Sequence, residues 1–318
     1  MLNRRILRIK AFKALYSYAE NPSMTLADTE AMLEESCEAT RSLYLLMLAI
    51  IPSLTDEALA RIENARKKFN PTDEERNPNL KFTRNGIARI FREDPDFRKI
   101  LSRRKLSWEP YDVLVRNVYD SVCIKDYYKA YMASPEQSLA EDANLFIKIF
   151  EEEFVDNEEL AVILEDLSIY WCDDLAYSLT ACCDSLKLLA KGQRWSLPPL
   201  YRSEMMESKD VESDKSFIYK VLRTAYANFG KYAPMVAGNT TQWEKDRLFT
   251  VDTVLIVMGL SEAKAFPDLP VRVTINEYVE ITKYYSTPKS RSFVNGLLDR
   301  LIKKQIEEGD IVKTEKIA

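Results

Sequence analysis

Apolar side chains recur every three or four residues along most of the chain, which is the spacing of helices with one buried face. Residues 2–19 predict a first helix, with Leu7, Ala11 and Leu15 on one side. A second helix is predicted from Thr25, a suitable N-cap, to Cys37, and a third from Ala39 to Ile51, ending before Pro52. Strand-like alternation is confined to short pieces such as 271–275. We therefore expect an all-α fold.

The last third of the chain carries the clearest helix signals. Thr274 and Glu277 have the T-x-x-E spacing of a capping box, which predicts a helix start there. Thr287 followed by Pro288 predicts a second start, because proline suits the first helical position. On the helix that follows, we expect Gly296 to allow close approach of a neighbouring helix.

Composition excludes several kinds of catalytic site. The 318 residues contain no histidine and only seven glycines. Catalytic triads with histidine, Cys-His dyads and HExxH zinc sites are therefore absent, and no glycine-rich phosphate loop of the GxGxxG or GxxxxGK[ST] type is present. The five cysteines show no CxxC spacing and are expected to be reduced thiols. We therefore expect no cofactor and no metal site.

The sequence also predicts a cytoplasmic protein with no membrane span. The longest strongly apolar run, Leu43–Ile51, is far shorter than the roughly 18 residues that a span requires. The N-terminal residues lack the apolar region and the small-residue cleavage site of a signal peptide.

Charge is distributed unevenly, although the net charge is only −5. Residues 1–13 carry five basic and no acidic residues, and residues 79–106 carry nine basic and three acidic residues. Residues 135–174 carry thirteen acidic residues and one lysine. A protein with a net negative charge still binds RNA when its cations share one surface.

Two interpretations of these charges stay open. Arg4, Arg5 and Arg8 lie within one sector of the first helix, where they form either a phosphate grip or an ordinary solvated face. The basic stretch at 79–106 either extends an RNA surface or pairs with the acidic stretch at 135–174.

The candidates for base stacking, which could equally be core residues, are Tyr16, Tyr18, Tyr284, Tyr285 and Phe293. Trp171 and Trp243 are expected to be core anchors.

Two segments resemble the NusB family of transcription antitermination factors. They are RRILRIKAFKALYSYAE at residues 4–20 and LPVRVTINEYVEITKYYSTPKSRSFVNGLLDRL at residues 269–301. The most specific part is the segment from Phe293 to Asp299. Because the chain is long for this family, we expect NusB-like helices at 1–50, a helical insertion at 51–210 and a NusB-like C-terminal part at 211–318.

The resemblance implies two packed helical bundles that bind RNA and have no catalytic residues. It implies binding of boxA-like single-stranded RNA from ribosomal RNA leaders, together with the small-subunit ribosomal protein NusE and the RNA polymerase elongation complex. Lys289 departs from an acidic residue common at that family position. The predicted RNA-binding residues are Arg4, Arg5, Arg8, Tyr16, Lys289, Ser290, Arg291 and Phe293. A helical interaction scaffold that has lost RNA binding is the alternative. The missing glycine-rich loop argues against a methyltransferase with a NusB-like domain.

Overall fold

The computed structural model describes residues 1–201, 213–240 and 250–314. The predicted all-α fold is confirmed: these residues contain no strand, and their only β-bridge joins Leu2 to Tyr201. Short 3-10 turns and one π-helical turn at Phe150–Phe154 connect some of the helices. The helices are α1 (Arg4–Glu20), α2 (Leu26–Arg66), α3 (Asp73–Arg76), α4 (Gly86–Glu93), α5 (Pro95–Arg104), α6 (Asp112–Ile124), α7 (Asp126–Ala133), α8 (Leu139–Ile149), α9 (Glu158–Leu167), α10 (Leu175–Ala190), α11 (Asp214–Gly238), α12 (Thr250–Ala265), α13 (Val271–Tyr285) and α14 (Ser290–Glu307).

The chain divides into two compact units. Unit 1 is discontinuous and combines Met1–Cys37 with Pro199–Ala318, whereas unit 2 is the continuous segment Glu38–Pro198. The expected insertion at 51–210 has different limits, since it was drawn from the family resemblance rather than from contacts. Those limits stay a prediction.

Helix α12 is the central helix of unit 1. It packs against α1, α11, α13 and α14, and its residues from Val254 to Ala263 are buried on every side. Gly259 permits the approach of α14, because a Cβ atom there would lie 2.7 Å from Leu298 Cδ2. The expected role of Gly296 in close packing is wrong, since no atom of the described residues lies within 4 Å of a Cβ placed there.

Unit 2 is built around α8, which packs against α4, α7 and α10. Its core includes the aromatic rings of Phe82, Tyr128 and Phe146, with Phe82 5.4 Å from Tyr128 and 5.9 Å from Phe146. The indole of Trp171 is buried and donates a hydrogen bond to the Ala39 carbonyl at 2.8 Å, as expected of a core anchor. Trp243 lies outside the described residues.

The prediction of two separate helices, one from Thr25 to Cys37 and one from Ala39 to Ile51 that ends before Pro52, is wrong. Helix α2 runs without a break from Leu26 to Arg66 and contains Pro52. A proline inside a helix costs about 3 kcal/mol, whereas each large apolar side chain that is buried returns about 1.5–3 kcal/mol. Every residue from Leu43 to Ile51 is buried, and so is Leu54. Burial on both sides of Pro52 therefore outweighs the lost backbone hydrogen bond.

Helix α2 also bears on the predicted absence of a membrane span. Among the described residues it is the one helix that is long and apolar enough to cross a membrane. Of its most apolar 18-residue window, 67% is buried inside the protein. A core helix of a soluble protein passes the same test of length and composition.

Of the predicted helix caps, the one at Thr25 is confirmed. The Asp28 amide donates to the Thr25 hydroxyl, and the Thr25 amide donates to the Asp28 carboxylate. The capping box at Thr274 is wrong, because α13 begins one turn earlier, at Val271. Thr274 is buried inside that helix, and its side chain donates to Glu262.

The basic stretch of unit 2 pairs with the acidic stretch at one position. Lys81 lies 2.8 Å from a carboxylate oxygen of Glu141. Arg92 and Arg104 pair instead with Asp56 and Glu38 on α2. The other basic residues of the stretch are exposed and form no ion pair with a described residue; they are Arg84, Arg89, Arg98, Lys99, Arg103 and Lys105.

Candidate nucleic-acid interface

Helix α1 holds the three arginines that were predicted to grip phosphate. It begins at Arg4 because Asn3 is its N-cap, accepting a hydrogen bond from the Ile6 amide at 3.0 Å. Arg4 Nε donates to Asp214 Oδ1 at 2.9 Å, and the guanidinium lies 4.4 Å from the Phe217 ring centre. The cation at the start of α1 therefore binds a carboxylate at the start of α11.

Arg5 and Arg8 bind carboxylates as well. Arg5 is half exposed and donates to both oxygens of Glu277, at 2.8 and 3.1 Å. Arg8 is only 4% exposed and donates to both oxygens of Glu262, at 2.7 and 2.9 Å. The side-chain arrangement thus differs from the expected phosphate grip. Arg8 does not face solvent, and all three guanidiniums already bind carboxylates of unit 1.

Glu262 is fully buried and accepts four hydrogen bonds. Besides Arg8, the Thr274 hydroxyl donates at 3.0 Å and the Tyr278 hydroxyl at 3.1 Å. Burial would lower the pKa of Arg8, but its hydrogen bonds and charge interaction with Glu262 outweigh burial, and the pKa is raised. Burial, together with the Glu262 charge, also raises the pKa of Tyr278 well above its usual value. A buried carboxylate needs such a complete set of partners to stay charged.

Residues 286–291 lead from the end of α13 into the first residues of α14, and we call them the α13–α14 turn. They include three of the other predicted residues. Ser290 is buried, and its hydroxyl donates to Asp252 Oδ2 at 2.9 Å, while Ser286 donates to Oδ1 at 2.6 Å. Burial raises the pKa of Asp252 despite these two hydrogen bonds. Lys289 and Arg291 flank Ser290 and are exposed. Asp252 therefore fixes the turn from inside the protein, while the two cations of the turn, Lys289 and Arg291, face solvent.

The predicted stacking residues differ in exposure. Tyr284 is 79% exposed, whereas Tyr16 and Phe293 are half-buried. Tyr18 is half-buried, and its ring centre lies 4.5 Å from that of Tyr226 and 5.3 Å from that of Phe229. Tyr18 thus packs within unit 1, and Tyr284 offers the most open ring of the predicted set.

Sequence reasoning missed the acidic partners of this region. Asp214 lies on α11, and Asp252 and Glu262 lie on α12; none of the three was among the predicted site residues. A buried Asp or Glu inside an apolar run is a signal for a paired cation, and Glu262 stands close to the run 254–260. Among the described residues, no group of three or more histidine, cysteine or acidic side chains is placed to hold a metal ion.

Comparison with known proteins identifies the family. The sequence model described as the NusB family matches residues 193–303. A transcription antitermination protein NusB of Chloroherpeton thalassium is 34% identical over 109 residues, which are 33% of this chain and 52% of that protein. The chain thus spans about half the length of that relative.

Two further relatives are matched over more of their length. The transcription antitermination protein NusB of Alkaliphilus oremlandii is 31% identical over 101 residues, which are 32% of this chain and 73% of that protein. The Clostridium botulinum strain Alaska E43 protein of the same name is 36% identical over 98 residues, covering 31% of this chain and 74% of that protein. No solved structure matches the chain. With that share of the relatives covered at this identity, the chain belongs to the NusB family.

Proposed function

We propose that this protein is a cytoplasmic, non-enzymatic, RNA-binding factor in transcription antitermination. In this proposal it binds boxA-like RNA of ribosomal RNA leaders together with NusE and joins the RNA polymerase elongation complex. The coarse role is supported by family membership and by the name of the relatives, transcription antitermination protein NusB. The proposed contacts with RNA, NusE and RNA polymerase rest on the resemblance of residues 4–20 and 269–301 to the NusB family.

The observation that carries RNA binding is the α13–α14 turn. Lys289 and Arg291 are exposed and form no ion pair with a described residue, while Ser290 between them is tied to buried Asp252. Cations held in a fixed turn suit the phosphates of an extended strand. Phe293 and Tyr284, on the adjoining helices, offer partly open and open rings for base stacking.

The predicted RNA-binding residues on α1 are less accessible to RNA than Lys289 and Arg291. Arg5 keeps half of its surface open beside Glu277, and Tyr16 is half-buried. Arg4 is partly exposed, but RNA contact by Arg8 would require breaking its buried pair with Glu262. We therefore place Lys289 and Arg291 first, Arg5, Tyr16 and Phe293 next, and Arg8 in a supporting position.

One observation favours the alternative of a scaffold without RNA binding. All three arginines of α1 bind carboxylates of unit 1, which removes part of the positive surface expected from the sequence. In that case the exposed surface of unit 2 would contact protein partners, and the turn cations would be ordinary solvated side chains.

Fluorescence anisotropy with a boxA-like RNA separates the two functions. The measurement compares the full chain with Lys289→Gln/Arg291→Gln, with and without NusE and across a salt series. Loss of two phosphate contacts should weaken binding and reduce the slope of log K against log salt by about 1.4, since each contact with single-stranded RNA contributes about 0.7.

The matched control is Lys303→Gln/Lys304→Gln, which removes the same charge from the far end of α14. Both lysines are exposed, and among the described residues they pair with acids on or beside their own helix, Asp299 and Glu308. Equal weakening by the two double variants would mean that net charge, not the turn, determines binding. Absence of binding by the wild-type chain with NusE at low salt would favour the scaffold.

A further inference from the structure

Unit 2 contains a polar cleft of about 360 Å³ that the proposed RNA interface does not use. It lies between the chain preceding α4, the start of α4 and the start of α8, and its wall includes Arg84, Arg89 and Ser138. This volume falls within the range of small-molecule sites, roughly 300–1,000 Å³.

Two arginines supply the positive charge of the cleft. Arg84 and Arg89 are exposed, and their guanidinium groups form no hydrogen bond or ion pair with another described residue. Lys81 also lines the cleft, but its ammonium group is tied to Glu141 at 2.8 Å and to the Ser134 carbonyl at 3.0 Å. The two arginines are therefore the cations left for a ligand, and guanidinium groups bind phosphate oxygens in a planar, two-pronged geometry.

The carboxylate in the cleft wall is already occupied. Asp142 is buried; its Oδ1 accepts from the Tyr131 hydroxyl and its Oδ2 from the Gly86 amide, both at 2.6 Å. Both carboxylate oxygens therefore have partners on neighbouring helices, and neither forms an ion pair with Arg84 or Arg89. Asp142 thus holds α4, α7 and α8 together rather than balancing the charge of the arginines.

The shape of the cleft is fixed by a close approach of two helices. A Cβ atom at Gly86 would lie 2.8 Å from Leu139 Cδ2 and 3.2 Å from Asp142 Oδ2, so glycine is needed where α4 meets α8. Asn85 caps α4 by accepting from the Ile87 and Ala88 amides, and Ser138 caps α8 by accepting from the Glu141 amide. The N-termini of α4 and α8 are therefore capped by side chains of the protein itself, and the walls of the cleft form without a ligand.

The geometry points to a binding site for a small phosphate-bearing molecule of nucleoside phosphate size in unit 2. Arg84 and Arg89 bind the phosphate oxygens, and the exposed amide of Gln137 on the same wall offers an uncharged hydrogen-bonding group to the rest of the ligand. This site is independent of RNA binding by unit 1, since none of its residues belongs to that unit.

Isothermal titration calorimetry of the full chain tests the site, with inorganic phosphate, adenosine monophosphate and a short RNA without boxA as separate probes. Arg84→Gln/Arg89→Gln should weaken binding of the nucleotide by about tenfold or more, because charged hydrogen bonds are lost at both side chains. Both arginines are exposed, so the variant should fold, and far-ultraviolet circular dichroism verifies this.

The matched control is Arg98→Gln/Arg103→Gln, which removes two exposed arginines of α5 that do not line the cleft. Unchanged nucleotide binding by the control, with phosphate competing for the wild-type site, supports the proposal. Equal weakening by both double variants, absence of saturable binding of the nucleotide, or binding of the RNA alone would overturn it.

Discussion

Arg8 and Glu262 form a two-pronged ion pair inside unit 1, with distances of 2.7 and 2.9 Å between guanidinium nitrogens and carboxylate oxygens. The exposed fractions are 4% and 0%, so neither charge is solvated by water. The pair fastens α1 to α12, and through Tyr278 it also reaches α13. An arginine that the sequence placed in an RNA surface thus joins three helices of the core.

Arg8→Ala should destabilise the protein by about 3–5 kcal/mol, because Glu262 would be left as a buried charge without its cation. Urea unfolding followed by circular dichroism measures the change. Arg5→Ala is the control: Arg5 is half exposed, so its removal should cost about 1 kcal/mol or less. Equal losses from the two variants would contradict a special role of the buried pair.

Ser290→Ala should act on stability before it acts on RNA binding. The change removes a hydroxyl that donates to buried Asp252, which should cost about 1–3 kcal/mol in thermal or urea unfolding. Ser292→Ala, on the same turn of helix and exposed, should cost about 0.5 kcal/mol or less. A Ser290 variant with native stability but lost RNA binding would show instead that this hydroxyl contacts RNA directly.

As pH falls, the contributions of Asp252 and Asp310 to the stability of the protein should change in opposite directions. Burial raises the pKa of Asp252 above its usual 3.8, so its ionised form costs stability above that raised pKa. As pH falls through the raised pKa, the wild type should gain stability relative to Asp252→Asn, down to about 3.8. Urea unfolding of both proteins across this pH range measures the difference.

Asp310 provides the comparison. Burial would raise its pKa, but hydrogen bonds from Lys231, Lys264 and Tyr232 outweigh burial, and the pKa is lowered. Its stabilisation is complete above 3.8 and is lost as pH falls below 3.8 through the lowered pKa. Asp310→Asn should therefore cost about 1 kcal/mol at neutral pH and progressively less in acid. Parallel pH profiles for the two variants would contradict this pair of assignments.

Two glycines of unit 1 should respond to alanine in opposite directions. At Gly259 a methyl group would lie 2.7 and 2.8 Å from the Leu298 side chain, so overpacking should cost about 1–3 kcal/mol. At Gly296, which is exposed, no atom in the described part of the chain lies within 4 Å of such a methyl group, and alanine should stabilise the helix by about 0.5–1 kcal/mol. Thermal unfolding of the two variants gives the sign directly, and destabilisation by Gly296→Ala would indicate contacts with a partner.

The sequence was sufficient for the all-α class, for helix α1 and for the Thr25 cap, because each depends on neighbours within one or two turns. It was insufficient for α2. Proline ends many helices, and only burial by residues distant in sequence shows that Pro52 continues this one. The start of α13 was misplaced by one turn because Thr274 and Glu277 have capping spacing but bind Glu262 and Arg5.

The candidate site was predicted in part for the same reason. Spacing placed the α1 arginines on neighbouring positions, and the basic turn at Lys289 and Arg291 is exposed as a solvent-facing turn should be. The spacing of residues along one helix does not show which carboxylate of another helix packs against it. Arg8 and Ser290 were assigned to a surface because Glu262 and Asp252 lie 254 and 38 positions away.

The discontinuity of unit 1 sets an order for folding during synthesis. Unit 2 is one uninterrupted segment, so its last residue leaves the ribosome before α11 to α14 exist. Arg8 must wait for a partner 254 residues later, which at 5–20 residues per second takes roughly 13–50 s. Throughout that interval the apolar side of α1, with Leu7 and Leu15, lacks its native cover. The apolar side of α1 is therefore exposed for a long time during synthesis. This makes α1 the natural target for a chaperone that binds unfinished chains.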